Sequence, residues 1–127
     1  MRIGATVLFR DRVCVQSYGW TKFRVLGHLQ LIMDSLEEYH CDEVSIIRPV
    51  RANDTIKSFQ EDVCIIKDLK TSTPLSFGGG INCNKKLELV TSLPIERLIF
   101  SSAFIEGNYD LIKTATSLFG KQAIQCM

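Results

Sequence analysis

The sequence predicts an α/β fold built on a parallel sheet. Three observations predict it. Short apolar, β-branched runs recur along the chain, stretches with helical apolar spacing separate them, and Gly, Pro or Asn marks most of the junctions. Strands that alternate with helices at this spacing pair in parallel, with the helices outside the sheet.

The elements follow in order. Arg2 to Phe9 (RIGATVLF) reads as a buried strand, which Arg10-Asp11 interrupts; RVCVQS is compatible with a continuation in extended form. YGWTKFRVLGHLQ reads as a long loop. Leu29, Ile32, Met33 and Leu36 then recur at i, i+3, i+4 and i+7, the stripe of an amphipathic helix of about three turns. Asp42 to Ile47 is a second strand, stopped by Arg48-Pro49. Asn53 or Asp54 is expected to cap a helix whose stripe is Ile56, Phe59, Val63 and Ile66. Pro74 to Phe77 is a third strand. Asn82 or Asn84 is expected to cap a helix carrying Leu87, Val90 and Leu93. Glu96 to Phe100 is a fourth strand. Asp110 opens a fourth helix, with Leu111, Ile112, Ala115, Leu118 and Phe119 on one face, and Gly120 closes it. Gln122 to Met127 begins a fifth strand.

Two closures suit this β-α order: an open doubly wound sheet, or a barrel of eight βα units that normally needs about 250 residues. The 127 residues hold half of such a barrel, as one domain or part of a larger one. A half-barrel leaves sheet edges unpaired and one side of its core uncovered, so it needs its missing half or a second copy, as in a homodimer.

Composition excludes several function classes. At 46% hydrophobic and 23% charged residues the chain can pack a core and is not disordered. A net charge of +1, with the basic residues scattered, gives no electrostatic footprint for nucleic acid and no polybasic membrane patch. No apolar run reaches the length of a membrane span, and Arg10-Asp11 cuts the N-terminal run too early for a signal peptide, so a cytoplasmic protein is expected. Cys14, Cys41, Cys64, Cys83 and Cys126 stand singly with no CxxC pair, which points to reduced thiols rather than a disulfide framework or a metal site.

In either closure the functional end is where the strands finish. Leu8-Phe9-Arg10, Arg48-Pro49-Val50, Gly78-Gly79-Gly80 and Ser101-Ser102 arrive there. Glycines between a strand and a helix let backbone N–H groups approach an anion, and two hydroxyls from the neighbouring strand would complete such a pocket. A plain structural turn is the other reading of the glycines; the pattern fits neither GxGxxG nor the P-loop. His28 and His40 lack an acidic or cysteine partner and read as surface histidines, His40 at a helix end where the dipole favours a cation. Trp20 and Phe23 form a lid or simple packing. Glu37-Glu38 reads as a solvated helix face. No Ser-His-Asp or Cys-His arrangement can be placed.

The motif set RIGA, LFRDRV, DEVSII, PLSFGGGI, RLIFSSAFIE and LIKTATSLFGKQA, taken in order, resembles the N-terminal half of the cyclase subunit of imidazole glycerol phosphate synthase, the HisF/HisA family. The resemblance implies a (βα)4 half of a (βα)8 TIM-type barrel plus the start of strand five, residues 1–127 forming a single half-barrel within a longer protein. It implies a glutaminase partner of the HisH type that supplies ammonia through the barrel. The substrate would be a phosphorylated small molecule, and no cofactor is required. In the histidine-pathway member the reaction is a lyase-type cyclisation. By the resemblance Gly79, Gly80, Ser101 and Ser102 hold a phosphate. Arg2, Asp42, Glu43, Glu96 and Arg97 form the ammonia entrance and the partner face. The departures are equally specific: Leu8 stands at the family's acid position and has no proton to give. Gln16 replaces a lysine, Arg48 replaces an acidic residue, and the second catalytic aspartate falls past Met127. Relatives from surface-polysaccharide gene clusters also carry leucine at the first position and support amidation of a sugar, which makes a divergent or non-catalytic paralogue the alternative.

Overall fold

The computed structural model describes residues 1–50 and 53–127. Among the described residues seven strands and five α-helices follow one another: β1 Gly4–Arg10, β2 Val13–Tyr18, β3 Lys22–Gly27, α1 Leu29–Glu38, β4 Glu43–Ile47, α2 Ile56–Lys67, β5 Leu75–Gly78, α3 Asn84–Val90, β6 Arg97–Phe100, α4 Ser102–Ile105, α5 Tyr109–Phe119 and β7 Ile124–Cys126. They form one sheet in the order β3-β2-β1-β4-β5-β6-β7. From β1 through β7 the β4, β5 and β6 pairings are all parallel, as the β-α alternation requires.

Register and burial choose between the two closures. Val7 and Phe9, Val44 and Ile46, Leu75 and Phe77, and Leu98 and Phe100 join Met33, Phe59, Ile66, Leu87 and Leu111 of the helices in one core. The alternate residues take no part in it. Thr6, Ser45, Ser76 and Arg97 are directly paired across β1, β4, β5 and β6 and lie outside that core. All the helices therefore pack on one face of the sheet, whereas a doubly wound sheet would have them on both. This is the half of a TIM-type barrel, and the sheet is not closed, with β3 and β7 at its edges.

The stretch read as a long loop instead carries β3. With β2 it makes an antiparallel hairpin that extends the end of β1. Lys22, Phe23, Arg24 and Val25 alternate polar and apolar, the period of a strand, but the interspersed charges hid it. Asp11 and Arg12 form the first turn, both at positive φ (49° and 68°), as the twist of a two-residue hairpin demands. Gly19 and Trp20 turn the second, where Ser17 Oγ accepts the Trp20 N–H at 3.0 Å.

The helix caps also differ. Thr55, not Asn53 or Asp54, caps α2 by accepting the Ser58 N–H at 3.1 Å. Cys83 precedes α3 without a side-chain cap, so neither Asn82 nor Asn84 serves there. SSAFI gains a short helix of its own, α4. Gly120 closes α5 at φ 89°, a conformation in which glycine meets no Cβ penalty.

Candidate functional site

A cavity of about 650 Å³ opens at the C-terminal ends of β4, β5 and β6. Gly79 and Gly80 line it from the β5–α3 loop, Ser101 and Ser102 from the end of β6, and Trp20 and Phe23 from the hairpin. The four residues named from the glycine and serine motifs thus face one space. Ser101 and Ser102 are exposed, and their hydroxyls bond to no described residue. Leu8 does not line the cavity; it is half-buried and pairs with Ile47 and Val15. Gln16 stands exposed on β2, opposite Arg24. Arg10 holds its guanidinium 4.9 Å from the Phe23 ring centre, which braces the hairpin side of the cavity. Among the described lining residues Glu106 is the one carboxylate.

The glycines have a steric explanation within the sheet. A Cβ on Gly79 would stand 2.2 Å from the Arg48 carbonyl oxygen, and one on Gly78 2.6 Å from that of Ile99. Gly79 and Gly80 also adopt φ of 104° and 80°, which side-chain-bearing residues avoid. The turn reading and the anion reading of the motif are therefore compatible: close strand crossing demands the same bare backbone that a ligand could use.

Beneath the glycine loop lies a buried ionic cluster. The Arg48 side chain, 1% exposed, donates from Nε to Asp62 Oδ2 at 2.8 Å and from both Nη atoms to Asp54 at 3.1 Å. Lys86 Nζ meets Asp54 Oδ2 at 3.1 Å and the Gly80 carbonyl at 3.0 Å. Phe59 lies under both cations. Asp62 Oδ1 accepts the Arg12 N–H at 2.8 Å, which ties the hairpin root to α2. Two cations and two carboxylates balance, the condition under which charge survives burial. Burial by itself would raise the Asp54 pKa; the bonds and charges of Arg48 and Lys86 outweigh it and hold the carboxyl below its ordinary range. Burial likewise opposes the Arg48 charge, and its two carboxylates reverse that. Arg48 is thus fully engaged within the fold.

At the opposite end of the sheet, Arg2, Asp42, Glu43, Glu96 and Arg97 stand at the strand beginnings. The structure joins only some of them. Arg2 pairs with Glu43 at 3.2 Å, with 64% and 39% of their side chains exposed, and Asp42 accepts the Ile3 N–H at 2.6 Å. Glu96 and Arg97 form no ion pair among the described residues.

Other readings change with the contacts. Glu37 is no free solvated side chain: it accepts hydrogen bonds from the Thr71 hydroxyl, the Ser72 N–H and the Thr73 hydroxyl, fastening α1 to the loop before β5. Those bonds, the Thr71 hydroxyl foremost, lower its pKa. His40 lies beyond α1 in the left-handed region at φ 56°, and His28 precedes the helix; both are exposed. Burial pushes the Cys14 thiol up to about 11, which leaves it protonated and inert.

Sequence reasoning missed Asp62 and Lys86. The signal was present: both sit on apolar faces, Asp62 beside Val63 and three residues after Phe59, and Lys86 four residues before Val90. A charge on such a face needs a partner.

No protein-family model matches the chain. It is 31% identical, over 127 residues and 98% of its length, to the Campylobacter jejuni protein named "Putative imidazole glycerol phosphate synthase subunit hisF2". The chain spans about half the length of that relative, 49%. The similarity is to a HisF-like protein, and it accords with the half-barrel fold. No helix among the described residues is long and apolar enough to cross a membrane.

Proposed function

We propose that residues 1–127 form the N-terminal half-barrel of a longer, HisF-like cytoplasmic subunit that accepts ammonia from a glutaminase and binds a phosphorylated small molecule. The observation that carries this reading is the convergence of Gly79, Gly80 and the hydroxyls of Ser101 and Ser102, which bond to no described residue, on one cavity at the strand ends. Hydroxyls and backbone N–H groups are donors suited to phosphate oxygens. The row Thr6, Ser45 and Ser76 supports ammonia transit, because these paired residues set one layer of hydroxyls across the uncovered face, between the charged strand beginnings and the cavity, where a small hydrogen-bonding molecule can be held in passing. Arg2, Asp42, Glu43, Glu96 and Arg97 then serve as the partner-facing rim.

One observation favours a second reading, in which the subunit has lost the cyclase chemistry and supports amidation of a sugar. Leu8 offers no proton, and Arg48 is locked into its ion pairs. Calorimetry with sugar phosphates and nucleotide sugars tests the shared core of both readings: binding that weakens in the Ser101→Ala/Ser102→Ala double variant supports it, and the absence of binding by any of these ligands rejects it. Turnover of a bis-phosphorylated histidine-pathway substrate with ammonia by the full-length protein would favour the cyclase. Capture of a glutaminase without such turnover would favour the second reading. Light scattering separates a homodimer of half-barrels from a monomer.

A further inference from the structure

The buried cations of the ionic cluster have no place in the ligand contacts proposed above, yet one of them holds the glycine loop. Lys86 is 4% exposed and spans two groups: Asp54 Oδ2 at 3.1 Å and the carbonyl oxygen of Gly80 at 3.0 Å. A peptide group is planar and trans, so its carbonyl and the following N–H point in opposite directions. Drawing the Gly80 carbonyl into the cluster therefore turns the Ile81 N–H away from it. That N–H has no hydrogen-bond partner among the described residues, and Gly80, Ile81 and Asn82 all line the cavity. Glycine at φ 80° is free to rotate this peptide, so something must fix it. Asp54 cannot do so, since a carboxylate does not donate to a carbonyl. Arg48 donates to Asp54 and Asp62, and the donor to this carbonyl is Lys86.

We infer that Lys86 is a positioning residue for an anion-binding loop: by anchoring the Gly80 carbonyl inside the cluster it presents the Ile81 N–H as a donor for the phosphate oxygens of the ligand. The inference rests on the phosphate reading of the cavity. Charge balance already calls for Lys86, since Arg48 alone cannot neutralise both Asp54 and Asp62; the bond to the Gly80 carbonyl is a second role of the same side chain.

The test is titration of the isotope-labelled chain with inorganic phosphate, followed through the backbone amides. In the unsubstituted protein the amides of Gly80, Ile81 and Ser102 are expected to shift together. Lys86→Met is expected to weaken binding about tenfold or more, the order expected when a hydrogen bond to a charged group is lost. It should also abolish the Ile81 shift and raise the fast backbone motion at Gly80 and Ile81. Lys86→Arg, which keeps a cation able to reach the carbonyl, is expected to retain most of the affinity. Ser102→Ala should weaken binding without loosening the loop. If Lys86→Met does not fold, Lys86→Leu takes its place, being uncharged and without a hydrogen-bond donor. Full phosphate affinity in a folded Lys86→Met or Lys86→Leu variant overturns the inference and leaves the phosphate reading intact. No phosphate binding by the unsubstituted protein overturns that reading, and the inference with it.

Discussion

The two ends of the sheet carry charge in opposite ways. At the C-terminal end Arg48, Lys86, Asp54 and Asp62 are buried and satisfy one another beneath the cavity. At the N-terminal end Arg2 and Glu43 pair in solvent, and Asp42, Glu96 and Arg97 stand at the same rim. The difference teaches where charge acts on the fold and where it remains available to a partner. Removing one member of a buried set strands the others in a low-dielectric interior, whereas an exposed pair is screened by water and worth little.

The largest effect is expected from Arg48→Met. It leaves Asp62 without its charged partner, and urea unfolding should show a loss of about 3–5 kcal/mol. A loss no greater than that of an exposed pair would erase the contrast between the ends. Next comes Gly79→Ala, which places a Cβ against the Arg48 backbone and forces alanine to a positive φ; a cost of about 2–4 kcal/mol is expected by the same measurement. A neutral result would show that the loop can move away from β4, and would remove the steric explanation of that glycine.

Acid should find the buried end as well. The folded Asp54 carboxyl lies below its ordinary value of 3.8. A depressed carboxylate contributes stability that is fully present above its unfolded pKa and is lost as pH falls through the folded one. The melting temperature should therefore drop on acidification below about pH 4, the ordinary carboxylate range. Asp54→Asn should flatten that part of the profile while lowering stability at neutral pH. Glu37, also depressed, contributes with the same sign, so Glu37→Gln is the control that separates the two. The smallest effect belongs to Arg2→Ala, with a loss of about 0.5 kcal/mol or less in stability. If the rim meets a glutaminase, that variant should still weaken capture of the partner, which would sharpen the contrast between structural and available charge.

Much of the candidate site was legible because it is built from strand ends. A strand followed by glycines, and another followed by serines, must bring those residues to one edge once the strands are parallel and in register. What was not legible is instructive. Arg48 looked like a lost catalytic position; its partners lie 6 and 14 residues away, across a loop and one face of α2, and only packing brings them together. Glu37 looked solvated because its partners, Thr71 to Thr73, are more than thirty residues away. The β2–β3 hairpin was half seen, since the charges on β3 mask its two-residue period and most of the strand is exposed on both faces.

The sequence by itself determined the alternation of parallel strands with α1, α2, α3 and α5, most of the apolar stripes that became the core, and the stop at Gly120. Each of these is local: periodicity and glycine conformation act within a few residues, before any distant contact forms. Only the tertiary structure decided that the helices take one face of the sheet, leaving Thr6, Ser45, Ser76 and Arg97 as a polar row on the other. It also decided that four charges neutralise one another below the glycine loop. Both depend on which distant segments are pressed together in a water-poor interior, where an unpaired charge is costly and a paired one can be held in place.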